Sequence, residues 1–285
     1  MAWRSRSLRP ASADSGSVAA HVSQQRGIGV RNISITRGLY GLYERTITAS
    51  LRPENVPHHV GIMMDGNRRW AKQVDAPAAH GHRAGAEKIV DVLQWSDDIG
   101  VKIVTLWMLS TDNLSRDPEE LDALVDIIEN TVSDLAASRR WRIHALGALD
   151  LLPESTAERL RAAQTLTSDV DGMTVNVAVG YGGRQEIADA VRSLLRERAT
   201  AGDSLEQVAE SLTVEQIADH LYTKGQPDPD LVIRTSGEQR ISGFLLWQSV
   251  HSEFYFCDAF WPDFRRVDFL RAVREYSSRE RRLGR

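Results

Sequence analysis

The sequence is poor in cysteine and has no long hydrophobic run. Its 285 residues include one cysteine, Cys257, which excludes an internal disulfide and a cysteine-based zinc site. No apolar run approaches the roughly 20 residues that a membrane-spanning helix needs. A chain without disulfides suits a reducing compartment. We therefore expect the protein to be located in the cytoplasm. The sequence also allows peripheral contact at the inner face of the cell membrane.

Several common catalytic motifs are also missing. The chain contains no GxxxxGK[ST] phosphate loop, no GxGxxG dinucleotide loop, no HRD kinase motif and no GxSxG nucleophile elbow. The paired DDxxD metal motif is absent as well, because Asp97-Asp98 stands alone before Ile99-Gly100 and is typical of a helix end. These absences argue against the usual nucleotide-binding enzymes and serine hydrolases.

The bulk composition is that of an ordinary globular protein. Hydrophobic residues make up 42% and charged residues 26% of the chain, and the net charge is −4. Without a basic excess we expect no nucleic-acid partner. A chain of this length buries a full core, so one large α/β domain is the default expectation.

The first segment differs in composition from the rest. Residues 1–36 are rich in Ser, Ala and Arg and lack aliphatic periodicity, which predicts a disordered N-terminal extension. A transit peptide has the same composition, and an over-called start codon is a third explanation. Apolar residues then recur at helical spacing and predict an amphipathic helix over 37–51. The folded domain is predicted to cover 37–285.

Strand and helix patterns alternate from residue 60 onward. Asp117-Pro118 with Glu120 is a strong helix start, and Thr213 with Gln216 forms a capping-box pattern. The predicted strands are 60–64, 102–109, 141–147, 173–180, 231–233 and 244–247; the predicted helices are 86–100, 117–135, 153–167, 184–199, a short one from 213, and 267–282. The alternation predicts an α/β fold in a single domain, with a mostly parallel central sheet flanked by helices.

Polar clusters follow four of the predicted strands: Asp65–Arg69, Ser110–Arg116, Tyr181–Arg184 and Arg234–Arg240. Ligands of parallel sheets collect at the carboxyl ends of strands, so these loops are expected to form one site. They hold many arginines and few acids, which predicts a polyanion such as a diphosphate. Asp65, with Glu253 as a second candidate, predicts a Mg²⁺ ion shared with phosphate oxygens. Aliphatic residues beside these loops suggest a substrate with an apolar tail.

Four stretches of the sequence resemble one known family. They are Asp65-Gly-Asn-Arg-Arg-Trp70 with Gly81-His82, Ser110-Thr-Asp-Asn-Leu-Ser-Arg116, Gly180-Tyr-Gly-Gly-Arg184 and Asp230-Leu-Val-Ile-Arg-Thr-Ser-Gly-Glu-Gln-Arg-Ile-Ser-Gly-Phe-Leu-Leu-Trp-Gln248. From about residue 57 to the C-terminus the chain resembles the cis-prenyltransferases, the undecaprenyl diphosphate synthase family and its short-chain relatives. The resemblance implies a homodimer that condenses an allylic diphosphate with isopentenyl diphosphate to form a Z double bond.

The resemblance also implies roles for individual residues. Asp65 would be catalytic and would coordinate Mg²⁺, with Glu253 joining the metal shell, and Asn113 would orient substrate where the family places its proton acceptor. Gly66, Asn67, Arg68, Arg69 and His82 would bind the allylic diphosphate, and Arg234, Arg240 and Ser242 the isopentenyl diphosphate. Further substrate-binding candidates in the same motifs are Trp70, Ser110, Thr111, Asp112, Leu114, Arg116, Arg184 and Ile241. The C-terminal Arg282-Leu-Gly284 resembles the tail motif that reaches the partner subunit's site.

The chain departs from the family pattern at four positions. Asp112 stands where Glu is usual, Leu114 where Trp is usual, and Ala78 where an arginine is common. Met108 falls where long-chain members tend to have a small residue, so its bulk would shorten the tunnel. The pattern is closest to actinobacterial Z-farnesyl diphosphate synthases, with geranyl diphosphate as the favoured allylic substrate. A long-chain polyprenyl diphosphate synthase, a lavandulyl-type synthase and a non-catalytic partner subunit are the alternatives.

Overall fold

The computed structural model describes residue 41 and residues 43–279. The chain divides into two units, Met1–Arg45 and Thr46–Arg285. In the first unit, residues 43–45 are helical; in the second, helix α1 covers residues 46–50. The helix predicted over 37–51 is thus confirmed for 43–50. The predicted disorder of 1–36 and the tail motif at 282–284 lie outside the described residues.

The second unit is built on a six-stranded, fully parallel sheet. Its strands are β1 His59–Met63, β2 Ile103–Ser110, β3 Arg142–Leu146, β4 Thr174–Tyr181, β5 Leu231–Arg234 and β6 Glu253–Phe256. Their spatial order is β3-β4-β2-β1-β5-β6, and every neighbouring pair is parallel. β1 and β4 are buried almost throughout because helices cover both faces. The predicted α/β fold is confirmed.

Eight further helices surround the sheet in the described part of the chain. They are α2 Asn67–Gln73, α3 Ala78–Asp98, α4 Pro118–Ser138, α5 Glu154–Leu166, α6 Gly183–Ala201, α7 Leu205–Ser211, α8 Val214–Ala218 and α9 Arg266–Ser278. The Asp117 side chain caps α4 by accepting from the backbone N–H groups of Glu119 and Glu120. The predicted capping box at Thr213 is also present. Every described helix is too short or too polar to cross a bilayer.

The strand predicted over 244–247 is wrong. Ser242 and Leu245 adopt left-handed backbone angles, with φ of 47° and 45°, and the segment folds as consecutive turns. Phe244 and Leu245 are fully buried, so their apolar character reflects a buried turn instead of a strand. The last strand described is β6, which pairs with β5.

Candidate active site

Asp65 lies two residues beyond the end of β1, where its backbone is fixed by the neighbouring loops. Its N–H lies 2.9 Å from the hydroxyl oxygen of Thr235, and that hydroxyl donates to its carbonyl oxygen at 2.7 Å. The backbone N–H of Trp261 also donates to this carbonyl. Because β1 and β5 are adjacent and parallel, the loops that follow them meet at the carboxyl edge of the sheet.

Two arginines hold the Asp65 carboxylate. Arg234 Nη2 donates to Oδ2 at 2.8 Å, and Arg69 Nη2 lies 3.3 Å from Oδ1. Burial by itself raises the pKa of this carboxyl, but the hydrogen bond and charge of Arg234, with the charge of Arg69, outweigh it and hold the pKa below its ordinary value. Asp65 is therefore an anion at neutral pH, and its side chain keeps 34% of its surface exposed toward the cleft.

Arg234 organises the second basic segment. It is 5% exposed, and its Nη1 donates to the carbonyl oxygen of Arg240 and to Ser242 Oγ, the latter at 3.0 Å. Its Nε is buried and has no hydrogen-bond partner among the described residues. Ser242 adopts a left-handed backbone conformation within this turn. The segment thus presents Arg234, Arg240 and Ser242 together beside Asp65.

Helices α2 and α3 approach closely behind the first loop. Gly66 precedes α2 with φ of 107°, a conformation that favours glycine. A methyl group on Gly85 of α3 would lie 2.5 Å from Asn67 Oδ1 and 2.9 Å from Trp261 Cδ1. Asn67 Oδ1 itself is buried without a hydrogen-bond partner in the described residues. Asn67 is held rigidly, with an acceptor that a ligand or a water could use.

A cationic rim, defined here as Arg68, His82 and Arg116, lies on the other side of the cleft. His82 is 9% exposed, and no hydrogen-bond partner of its Nε2 is found in the described residues. Burial, and then the charge of Arg116, lower the pKa of His82 to about 4, so the ring is neutral near pH 7. Burial, then the charge of Arg68, also lowers the pKa of Arg116. His82 and Arg116 are thus partly removed from water, and a bound anion would favour their charged forms.

The cleft between these groups has a polar mouth and an apolar end, and its volume is about 440 Å³. The polar mouth is lined by Asp65, Gly66, Asn67, Arg68, Arg69, His82, Ser110, Asp112, Asn113, Arg116, Arg234, Arg240 and Ser242. The apolar end is lined mainly by Ala86, Ile89, Met108, Leu124, Ile127 and Ile128. Such a shape suits a ligand with a charged head and a hydrocarbon tail.

The loop after β2 places Ser110, Asp112 and Asn113 at the mouth. Ser110 Oγ accepts from the Asn113 backbone N–H at 3.2 Å and so caps the short 3₁₀ turn Thr111–Ser115. The exposed Asp112 and the half-buried Asn113 both line the cleft. Ala78, which begins α3, does not line it, so no arginine enters the cleft from that position.

Other predicted residues lie outside the cleft lining: Trp70, Thr111, Leu114, Arg184, Ile241 and Glu253. Trp70 stacks on His80, and Arg184 is exposed on α6. Glu253 begins β6 opposite Leu231, whereas Asp65 follows the other end of β1. The two are about 10 Å or more apart along the strands. Glu253 instead pairs with Arg279. Within one chain the structure does not bring Glu253 to Asp65.

Sequence reasoning missed several residues of the site. Thr235 and Trp261 fix the Asp65 loop, and Ile127 and Thr131 of α4 line the cleft. All four of Leu124, Ile127, Ile128 and Thr131 lie within the helix predicted over 117–135, and their helical spacing is the signal that could have found them. No local pattern pointed to Thr235 or Trp261, because their partner is far away in sequence.

The described residues contain no group of three or more His, Cys, Asp or Glu side chains that could hold a metal by themselves. Asp65 supplies one ionised carboxylate that faces the cleft. This donor set fits Mg²⁺, which usually takes one or two carboxylates and completes its shell with phosphate oxygens and water.

Known proteins share this sequence and fold. The family described as "Putative undecaprenyl diphosphate synthase" matches residues 63–284. The chain is 62% identical to (2Z,6E)-farnesyl diphosphate synthase of Thermobifida fusca, over 86% of this chain and 97% of that protein. It is 50% identical to a short-chain Z-isoprenyl diphosphate synthase of Mycobacterium bovis, over 87% and 96%.

Among solved structures, lavandulyl diphosphate synthase from Lavandula x intermedia, in complex with dimethylallyl diphosphate, superposes with a TM-score of 0.75. It is 33% identical and covers 81% of this chain and 100% of its own. The family match spans most of the chain, and the relatives are similar over nearly their whole length. The chain belongs to the undecaprenyl diphosphate synthase family, the cis-prenyltransferases.

Proposed function

We propose that this enzyme condenses an allylic diphosphate with isopentenyl diphosphate to form a short Z-prenyl diphosphate such as Z,E-farnesyl diphosphate, and that geranyl diphosphate is its preferred allylic substrate. The observation that carries the proposal is the cleft of about 440 Å³, which joins an arginine-rich polar mouth to an apolar end. Met108 lies in the wall of that apolar end. The short-chain Z-isoprenyl and (2Z,6E)-farnesyl diphosphate synthases at 50–62% identity support the same product class.

We assign different residues of the mouth to the two diphosphates. Arg69 and the cationic rim face the position of the allylic diphosphate, and Arg234, Arg240 and Ser242 that of isopentenyl diphosphate. Guanidinium groups stabilise the charge that grows on the leaving diphosphate as the allylic C–O bond breaks. Because both substrates lie in one cleft, the isopentenyl double bond is held against the allylic carbon.

Asp65 would hold Mg²⁺ together with diphosphate oxygens, and the ion would supply Lewis-acid stabilisation of the leaving group. The apolar wall keeps water from the allylic carbon. Asn113 orients the substrates, and its neutral amide is a poor base. The proton lost when the new double bond forms is therefore taken by an oxygen of the released diphosphate or by a water.

The proposal is tested by product analysis. The purified chain with Mg²⁺ is incubated with isopentenyl diphosphate and, in turn, dimethylallyl, geranyl and farnesyl diphosphate, and products are separated by chromatography. We expect one short Z-product, formed best from geranyl diphosphate. Long polyprenyl products would support the long-chain alternative, and a branched product from dimethylallyl diphosphate alone the lavandulyl-type one. No turnover under any condition would favour a non-catalytic subunit.

We also propose a homodimer in the cytoplasm. β6 is an edge strand of the described sheet; Phe254 and Phe256 stack on it, and Phe256 is 36% exposed. Edges of this kind are usually covered in native proteins. Light scattering after gel filtration should give twice the chain mass, and a monomer at micromolar concentration would contradict the dimer.

A further inference from the structure

One carboxylate, that of Glu120, lies close to all three residues of the cationic rim. Its Oε1 lies 3.1 Å from Arg116 Nη1, 3.6 Å from Arg68 Nη1 and 3.9 Å from His82 Nε2. The three rim groups come from different segments, namely α2, α3 and the turn before α4. All three line the cleft, whereas Glu120 does not. Glu120 therefore contacts the groups that face a ligand without facing the ligand itself.

The rim needs such a partner. Arg116 keeps only 17% of its side chain exposed, and Arg68 and Arg116 repel each other. An arginine taken out of water is stable where a carboxylate offsets the loss of hydration. Glu120 sits in the first turn of α4, and the capped helix start fixes its backbone. Its carboxylate thus contacts the guanidinium groups of Arg68 and Arg116 from a backbone position that the helix start fixes.

We propose that Glu120 is a positioning residue that assembles Arg68, His82 and Arg116 into one anion-binding rim before the allylic substrate arrives. The inference rests on the proposed function, in which this rim takes the allylic diphosphate. Preorganised side chains lose less conformational entropy when the ligand binds, so the benefit appears as affinity for that substrate. Among the described residues, Arg234 and Ser242 of the proposed isopentenyl site form no hydrogen bond or ion pair with Glu120, so that site should be unaffected.

The test compares three variants by steady-state kinetics with geranyl and isopentenyl diphosphates. Glu120→Ala should raise the KM for geranyl diphosphate roughly tenfold or more, as expected when the charge-assisted hydrogen bond to Arg116 and the ion pair with Arg68 are lost. The KM for isopentenyl diphosphate should change less than about twofold. Glu120→Gln should be intermediate, because its amide oxygen still accepts from Arg116. Glu119→Gln is the matched control: Glu119 is exposed on the same helical turn and forms no ion pair with any described residue.

Inorganic diphosphate provides a second measurement. As a competitor against geranyl diphosphate, it should inhibit Glu120→Ala less strongly than the parent enzyme. Equal rises in both KM values, a fall in kcat alone, or the same effect from Glu119→Gln would overturn the proposal. Should Glu120→Ala fail to fold, Glu120→Gln with an unchanged KM for geranyl diphosphate would overturn it too. An inactive parent enzyme would refute the proposed function instead, so the two failures are distinguishable.

Discussion

Replacing the buried Glu186 should both destabilise the protein and weaken the isopentenyl site. Glu186 on α6 is fully buried and accepts three hydrogen bonds: from Tyr181 Oη at 2.5 Å, from the Tyr222 backbone N–H at 3.0 Å and from Gln248 Nε2 at 3.0 Å. Gln248 begins the 3₁₀ helix Gln248–His251, which directly follows the turns that start at Ser242. Glu186 therefore anchors the end of the segment that carries part of the proposed isopentenyl diphosphate site.

The magnitude follows from the donors that lose their acceptor. Glu186→Ala would leave the Tyr181 hydroxyl and the Tyr222 N–H without an acceptor, whereas Gln248 Nε2 keeps Thr223 Oγ1 at 2.8 Å. A buried unpaired polar group costs about 1–3 kcal/mol. Allowing for relaxation, we expect a loss of about 3 kcal/mol in the free energy of unfolding. Glu186→Gln keeps one acceptor oxygen for Tyr222 and Gln248, and its amide can donate to the Tyr181 hydroxyl oxygen. Glu186→Gln should lose less than about 1 kcal/mol in the free energy of unfolding. Comparing the two variants therefore separates the effect of the hydrogen bonds from that of side-chain shape.

Urea unfolding of both variants measures the stability difference. Steady-state kinetics should show a raised KM for isopentenyl diphosphate in Glu186→Ala and little change in the KM for geranyl diphosphate. Equal stability of the two variants would refute the hydrogen-bond argument. An unchanged KM for isopentenyl diphosphate in a folded Glu186→Ala enzyme would refute the anchoring role.

Three other predictions concern the cleft and the core. Met108→Ala should lengthen the products seen by chromatography. The control Leu109→Ala, a core change on the same strand, should only lower the stability of the protein. An unchanged product spectrum in Met108→Ala would exclude Met108 as part of the tunnel wall. Gly85→Ala should displace Asn67 and lower kcat/KM for geranyl diphosphate in a folded protein, and full activity would contradict the tight approach.

Burial lowers the pKa of His59 from 6.5 to about 4. As the pH falls, His59 is therefore protonated first in the unfolded chain, which favours unfolding. The stability that the neutral ring contributes above pH 6.5 is lost as the pH falls toward 4. Between about pH 7 and pH 5 the parent should lose about 2 kcal/mol that His59→Gln does not lose, as measured by urea unfolding, and equal losses would contradict the assignment.

Local patterns predicted most of the fold. Strands such as β1 and β4 are rich in apolar residues and are buried almost throughout, and the Asp117-Pro118 cap marks the start of α4. Helix α3 begins eight residues before its predicted start at Ala86, because its first turns bear histidines and glycines that close against α2 and show no apolar stripe. The apolar run after Ser242 was taken for a strand because burial in a turn and in a sheet demand the same residue types.

The candidate site could be predicted where its residues belong to one loop. Asp65, Arg68 and Arg69 are neighbours in sequence, and Arg234, Arg240 and Ser242 share another segment. Contacts that depend on the three-dimensional arrangement were not accessible. Glu120 has the sequence signature of a helix-start acid, and nothing local shows that Arg68, His82 and Arg116 converge on it. The separation of Glu253 from Asp65 within one chain was not accessible either, because strand order and register, which place the two at opposite ends of the sheet, cannot be read from neighbouring residues.

The measurement that tests the central claim most directly is the length of the product at the end of a prolonged reaction. The purified enzyme is given geranyl diphosphate, Mg²⁺ and a large excess of isopentenyl diphosphate, and the dephosphorylated products are separated by chromatography. A cleft of about 440 Å³, with a polar mouth and an apolar end that Met108 lines, predicts that the reaction stops at a farnesyl-length Z-product. Continued growth to long polyprenyl chains would contradict the account.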